Sequence, residues 1–384
     1  MTSNLVPLFS LAEWKNGLAF RKLHFSPVGK PIIKIAELKN GITAQTAYTQ
    51  QEFDPSVYLT RGDMVFSWSG NPETSIDVFW YDLPDGWLNQ HIFKVTPKRG
   101  IDKHYLYYLL KFLKPQFAAI ASNKQTTGLG HVTVKDMREL MVLLPEVQVQ
   151  KAIGSFLYLI DHKAYINNQI NDNLQQQAQV LFEQKFIFDG IEGSEKPLYD
   201  FADYVNGAAF KQNECGEHGL PIIKITELKN GITDSTKYFD GFKGEKYLVQ
   251  NKDILFSWSG NPETSIDIFI WTCGKAILNQ HTFNVKSNTG HRWFTFLMLK
   301  YFKPEFSRIA SNKQTTGLGH VTANDLKRLT FIYNETAIDD FEREIGPIME
   351  MIFSNMLENQ KLAQLRDTLL PKLMSGEIDV SNIQ

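Results

Sequence analysis

The segment Phe66–Asp77 reads FSWSGNPETSID, and the same twelve letters return at Phe256–Asp267. Asn71-Pro72 and Asn261-Pro262 raise the question of group transfer, because amino-methyltransferases of nucleic acids hold the target amine with an Asn-Pro-Pro-aromatic loop. Here Glu and Thr stand where that loop needs Pro and an aromatic ring, and no Gly-rich strand-turn-helix for a methyl donor is visible. TTGLGH at Thr126–His131 has neither the GxGxxG spacing nor the GK[ST] ending of a phosphate-binding loop. His91 and His281, each in LNQH, have no Cys or Ser partner at a recognisable spacing, and the two cysteines, Cys215 and Cys273, are too few for a metal cluster.

The chemistry left to these segments is hydrogen bonding. The candidates are Trp68, Ser69, Asn71, Thr74, Asn89, Gln90, His91, Lys124, Gln125, Thr126, Thr127 and His131 in the first half. Their counterparts are Trp258, Ser259, Asn261, Thr264, Asn279, Gln280, His281, Lys313, Gln314, Thr315, Thr316 and His320. Such side chains contact phosphates and read base edges; Asn or Gln suits adenine and Lys suits guanine. Surface turns have the same composition. Both copies keep these loops, however, while other stretches have drifted: AQTAYTQQEFDPSVYLT faces DSTKYFDGFKGEKYLVQ. That contrast favours a shared ligand over a shared folding requirement, with the glycines Gly70, Gly128 and Gly130 leaning structural.

The elements that position these loops are themselves duplicated. PIIKI before ELKNGIT occurs from Pro31 and from Pro221, LNQH at 88–91 and 278–281, and IASNKQTTGLGHVT from Ile120 and Ile309, at an offset of 190 and then 189 residues. A solenoid repeats every 20–50 residues, so this is a whole domain present twice. Runs such as Ile32–Ile35, Met64–Trp68 and Ile92–Val95 predict strands between Gly, Asn, Asp and Pro turns. KHYLYYLLKF (Lys103–Phe112) predicts a helix that stops or kinks near Pro115, and Arg292–Phe302 its equivalent before Pro304.

A different pattern follows each copy. Ile153, Ile160, Asn167, Leu174 and Leu181 lie seven apart, with Leu157, Ala164, Asn171 and Ala178 in the other seam position. Ile348, Asn355, Leu362 and Leu369 alternate with Ile352, Asn359, Arg366 and Leu373 at the end of the chain. The offset of 188 maps Asn167 onto Asn355 and Asn171 onto Asn359. Matched polar seam residues fix register at a cost in stability, so these heptads predict two helices packed on each other. Gly346-Pro347 is expected to kink or delay the second helix, and Pro371 to bend its end.

The expected fold is mixed α/β (α+β): two similar domains and two long helices pairing as an antiparallel coiled coil with a pseudo-twofold. The expected boundaries are 1–145, 146–196, 197–333 and 334–384. These blocks carry net charges of +4, −3, +3 and −6, so the globular blocks are basic and the helical ones acidic. The total of −2 argues against a simple polyanion binder. No signal segment or long apolar run is visible, which points to the cytoplasm and away from a membrane.

At this level the chain resembles the specificity (S) subunit of type I restriction-modification enzymes over nearly its whole length. GDMVFSWSG (Gly62–Gly70) resembles the mid-domain strand of that family's target-recognition domains, and LNQH its Asn-Gln strand. LMVLLPEVQVQKAI (Leu140–Ile153) resembles the domain exit, with Glu146 for the second Pro and Val149-Gln150 for Glu-Gln. The second copy departs further, with Ile332-Tyr333-Asn334 where that Pro run is expected. NQKLAQLRDTLLPKLMSGEI (Asn359–Ile378) is very similar to the family's C-terminal ending. The resemblance implies a non-catalytic subunit that binds double-stranded DNA. It would hold two methyltransferase (M) subunits through its helices, and restriction (R) subunits would join for cleavage. No cofactor is expected on this chain; S-adenosylmethionine and ATP would sit on the partners. A structural adaptor that holds two copies of a partner without reading DNA is the alternative.

Overall fold

The computed structural model describes residues 4–124, 128–314 and 317–380. The chain forms two units, residues 1–163 with 362–384, and residues 164–361. Each unit therefore takes one domain and a stretch of both long helices.

In the first unit, alternating apolar residues build a four-stranded antiparallel sheet in the order Ala12–Asn16, Ile92–Pro97, Met64–Ser67, Asp77–Trp80. A second, mixed sheet runs Tyr48–Thr49, Lys30–Ile33, Gly86–Leu88, Tyr58–Leu59, with Lys30–Ile33 parallel to Gly86–Leu88. The expected strand Ile32–Ile35 ends at Ile33, because Ile35 opens a short helix, Ile35–Asn40. The carboxylate of Glu37 in that helix accepts the Lys34 N–H and satisfies one of the donors that a helix start leaves open. Lys103–Phe112 stops before Pro115, and a second helix, Lys114–Ser122, starts with that proline in its first turn, where no N–H is needed.

The second unit repeats this plan with Ala202–Asn206, Thr282–Ser287, Ile254–Ser257, Asp267–Ile270 and the mixed sheet around Leu220–Ile223 and Ala276–Leu278. One cap is rebuilt. In the first unit Asp102 accepts the Tyr105 N–H, and Gly154 of the central helix packs so close that a Cβ there would lie 2.5 Å from the Tyr105 nitrogen. In the second, His291 replaces Asp102, and Glu342 stands in the place of Gly154. Its carboxylate accepts the Trp293 and Phe294 N–H groups at 3.0 and 2.8 Å. The helix start is satisfied either way, by a side chain from its own loop or from the long helix.

The central helix covers Val147–Glu183 and the C-terminal helix Glu335–Met374. The latter starts at Glu335 and runs on through Gly346-Pro347, so that pair does not delay it. Ile338, Phe341, Ile345 and Met349 are fully buried on both sides of that pair and hold the segment on the second domain. Within the second unit the helices run antiparallel. Asn167 Nδ2 donates to Asn359 Oδ1 at 2.9 Å, and Asn355 Nδ2 to Asn171 Oδ1 at 2.8 Å. The repeat offset exchanges these two pairs, as the matched heptads predict. The seam holds to Ala178 and then moves to Phe182 and Phe186, leaving Leu181 exposed. Within the first unit, Arg366 pairs with Asp161 at 2.9 Å, and Asp161 also accepts the Tyr108 hydroxyl at 2.7 Å. The repeat places buried Met349 and Ala178 at the corresponding positions. Among the described residues no helix is long and apolar enough to cross a membrane.

Lysine–aspartate pairs tie helices to the sheets and to one another in both units. Asp77 accepts from Lys111 and Lys114, Asp267 from Lys300 and Lys303, Asp136 from Lys124 and Asp325 from Lys313. Burial works against the charge of Asp77 and Asp267, but the lysines together outweigh it and hold both below their ordinary 3.8. A carboxylate depressed in the fold stabilises above its unfolded pKa, and that contribution is lost as pH falls through the folded value. Urea midpoints are therefore expected to hold from pH 7 to 5 and to drop below about pH 4. Asp77→Asn should be less stable at neutrality and show a shallower acid fall, measured by circular dichroism.

Candidate nucleic-acid interface

Three stretches distant in sequence meet at the end of the four-stranded sheet. The Trp68 N–H donates to the His91 carbonyl at 3.3 Å, and the Trp68 carbonyl accepts the Val132 N–H at 2.8 Å. Beside it Ser69 and Gly70 pair with His131 and Gly130 in a two-residue ladder. Gln90 donates its N–H to the Leu18 carbonyl and Asn89 to the Ile33 carbonyl, which fixes the third stretch at the mixed sheet. Trp258, His281, Val321, Ser259 and His320 repeat this arrangement.

Many of the candidate side chains are committed internally. Trp68 Nε1 donates to Asn16 Oδ1 at 3.0 Å, and its ring packs on His91 and Phe93. Trp258 does the same with Asn206, His281 and Phe283, again at 3.0 Å. Asn71 Oδ1 accepts the N–H groups of Glu73 and Thr74, and Asn261 those of Glu263 and Thr264, so each asparagine folds its own loop. Gly70 has φ +126°, and a Cβ there would lie 2.6 Å from Ser75 Cβ; the loop is closed so tightly that only glycine fits. Lys124 is paired with Asp136 and Lys313 with Asp325, whose carboxyls stay below their ordinary range: burial opposes this, and the lysine and threonine hydrogen bonds outweigh it.

Several candidates nevertheless reach the surface. Asn71, Thr74 and His91 are exposed, as are Asn261, Thr264 and His281. Gln90 Nε2 lies 3.2 Å from His91 Nε2, and Gln280 from His281 at the same distance, so each carboxamide is oriented by its neighbouring ring. Asn279 is buried, and Gln314 turns its backbone N–H to the Ser311 carbonyl. Gln125, Thr126, Thr127, Thr315 and Thr316 lie outside the described residues. The surface thus brings together residues 68–74, 89–91 and 130–131, and in the second domain 258–264, 279–281 and 319–320.

Sequence reasoning missed Asn16 and Asn206. The signal was present: Asn16-Gly17 and Asn206-Gly207 also repeat, and a Cβ on Gly17 would sit 2.2 Å from the Asn89 carbonyl oxygen. It missed Lys111, Lys114, Lys300 and Lys303 because their shared carboxylates are more than thirty residues away.

A family model for the type I restriction modification DNA specificity domain matches the chain twice, over residues 3–176 and 192–367. The chain is 23% identical over 374 residues to the type I restriction enzyme MjaIX specificity subunit of Methanocaldococcus jannaschii, covering 85% of this chain and 84% of that one. It is 24% identical over 383 residues to the MjaVIII specificity subunit of the same organism, covering 92% and 87%. Its fold is similar to the crystal structure of the type I restriction-modification system S subunit from M. genitalium, with a TM-score of 0.58, 14% identity, and 99% and 97% of the two chains covered. With two such domains spanning most of its length, the chain belongs to the type I restriction-modification DNA specificity family and is the specificity subunit of such a system.

Proposed function

We propose that each recognition domain reads one half of a split double-stranded DNA site, and that the two halves are similar sequences in inverted orientation. The observation that carries this is one contact surface built twice, with the same side chains oriented by the same partners. The antiparallel register of the long helices supports the inversion. Gln90 and Gln280 are the residues we assign to base edges, because each offers a planar amide beside an exposed histidine. Thr74, Thr264, Ser69 and Ser259 suit phosphate or sugar contacts.

The long helices dock two methyltransferase subunits, which restriction subunits join. Exposed apolar side chains off the seam support protein partners there: Phe156 and Leu159 in the first unit, Ile166, Ile170 and Val180 in the second. Their acidic character makes these helices poor DNA faces. Catalysis belongs to the partners, which would hold S-adenosylmethionine and ATP, and the assembly works in the cytoplasm.

Cells carrying a neighbouring methyltransferase should show methylation at a split motif only when this chain is present. Motif-specific methylation that persists after its deletion would contradict the reading. So would an active partner with no chain-dependent methylation, which would favour an adaptor. Gln90→Ala and Gln280→Ala should each relax one base position, and the same base identity in the two halves, by about 1–3 kcal/mol of discrimination. Relaxation at unlike bases would show that the matched surfaces read different sequences.

A further inference from the structure

Asp77 closes the repeated segment, and two ammonium groups converge on it. Lys111 Nζ donates to Oδ1 at 2.8 Å and Lys114 Nζ to Oδ2 at 2.7 Å. The two lysines come from successive helices, one on each side of the break at Leu113. Lys39 of the helix Ile35–Asn40 lies close enough for both Lys114 and Asp77 to act on its charge. The second domain repeats the core of this arrangement: Lys300 and Lys303 each donate to Asp267 at 2.7 Å, and Lys229 holds the sequence place of Lys39.

One lysine would neutralise one carboxylate. A second and a third add like-charge repulsion, which a purely structural tie does not need. Burial first, and then Lys114, lower the Lys39 pKa; burial also leads in lowering that of Lys111, with Asp77 opposing it and Lys114 and Arg366 adding to it. An incoming anion would relieve this repulsion. The cluster is not sealed off, since the Lys114 and Lys303 side chains remain 39% and 37% exposed. The cluster also stands against the loop of the candidate interface. A Cβ on Gly70 would lie 3.8 Å from Ile35 Cδ1, so the helix carrying Lys39 abuts the Asn71–Ile76 loop, and Asp77 ends that loop.

We propose that Lys39, Lys111 and Lys114, and Lys229, Lys300 and Lys303 in the second domain, are phosphate clamps. Each takes a backbone phosphate beside the half-site that its domain reads. This rests on the DNA-reading role proposed above and adds contacts that hold the duplex in register without carrying sequence information.

The test is a salt titration of DNA binding by the complete complex with its methyltransferase subunits. It uses one duplex with the methylated motif and one with that motif scrambled. Lys39→Gln with Lys114→Gln should reduce the slope of log K against log salt by about one, and weaken both duplexes by the same factor. Asp77→Asn should act in the opposite direction, tightening both duplexes and steepening the slope, because it removes the competing carboxylate. A purely structural tie predicts that Asp77→Asn weakens binding or leaves it alone. Unchanged slopes in both variants, with melting curves showing folded protein, overturn the clamp. A wild-type complex that does not discriminate the two duplexes overturns base reading instead, and the slopes on scrambled DNA still decide the clamp.

Discussion

Neither recognition domain closes its core from its own sequence. The first needs Ile153 and Leu157 from the central helix together with Leu373 and Met374 from the end of the chain. The second needs Ala178 and Phe182 from the other end of the central helix and Phe186 just beyond it, together with Ile338, Phe341, Ile345 and Met349. Burial of these side chains is the dominant favourable term, and the two helices that supply them are also paired through buried asparagines. The repeated loops therefore stand on a sheet whose underside is fixed to the helices. A domain that tilted freely on its own helix segments would lose core burial.

The same constraint explains much of the identity between the two copies. Trp68 and Trp258 are retained because each joins three stretches of chain through its backbone and reaches an asparagine with its indole. Asn71 and Asn261 are retained because each folds its own loop. Identity at those positions reports a shared scaffold. Identity at Gln90 and Gln280, whose carboxamides meet only the neighbouring histidine ring, is what the proposed shared ligand would explain. The repeated segments together thus carry an internal frame and a few surface groups that the frame orients.

The duplication, the alternation of globules and long helices, and the helix breaks before Pro115 and Pro304 were all legible in the sequence, because each is written locally. The seam was legible as far as Ala178. Beyond it, the 3.6-residue turn drifts off a strict heptad, and the aromatic core of the second domain draws in Phe182 in place of Leu181. The uninterrupted helix through Gly346-Pro347 was not legible, because the burial that holds it comes from residues far away in the chain. The same holds for Glu342, which takes over a cap that Asp102 makes in the first copy, and for the lysines around Asp77. In the candidate site, the loops were found by their repetition. The division into frame and outward residues needed three dimensions.

The most direct measurement of the central claim is the symmetry of the methylated motif, read by single-molecule mapping of modified bases in cells that carry this chain and its methyltransferase. The account predicts a split motif whose second half is the near-complement of the first in reverse. Two unrelated halves would contradict it and would mean that the matched loops serve the fold alone.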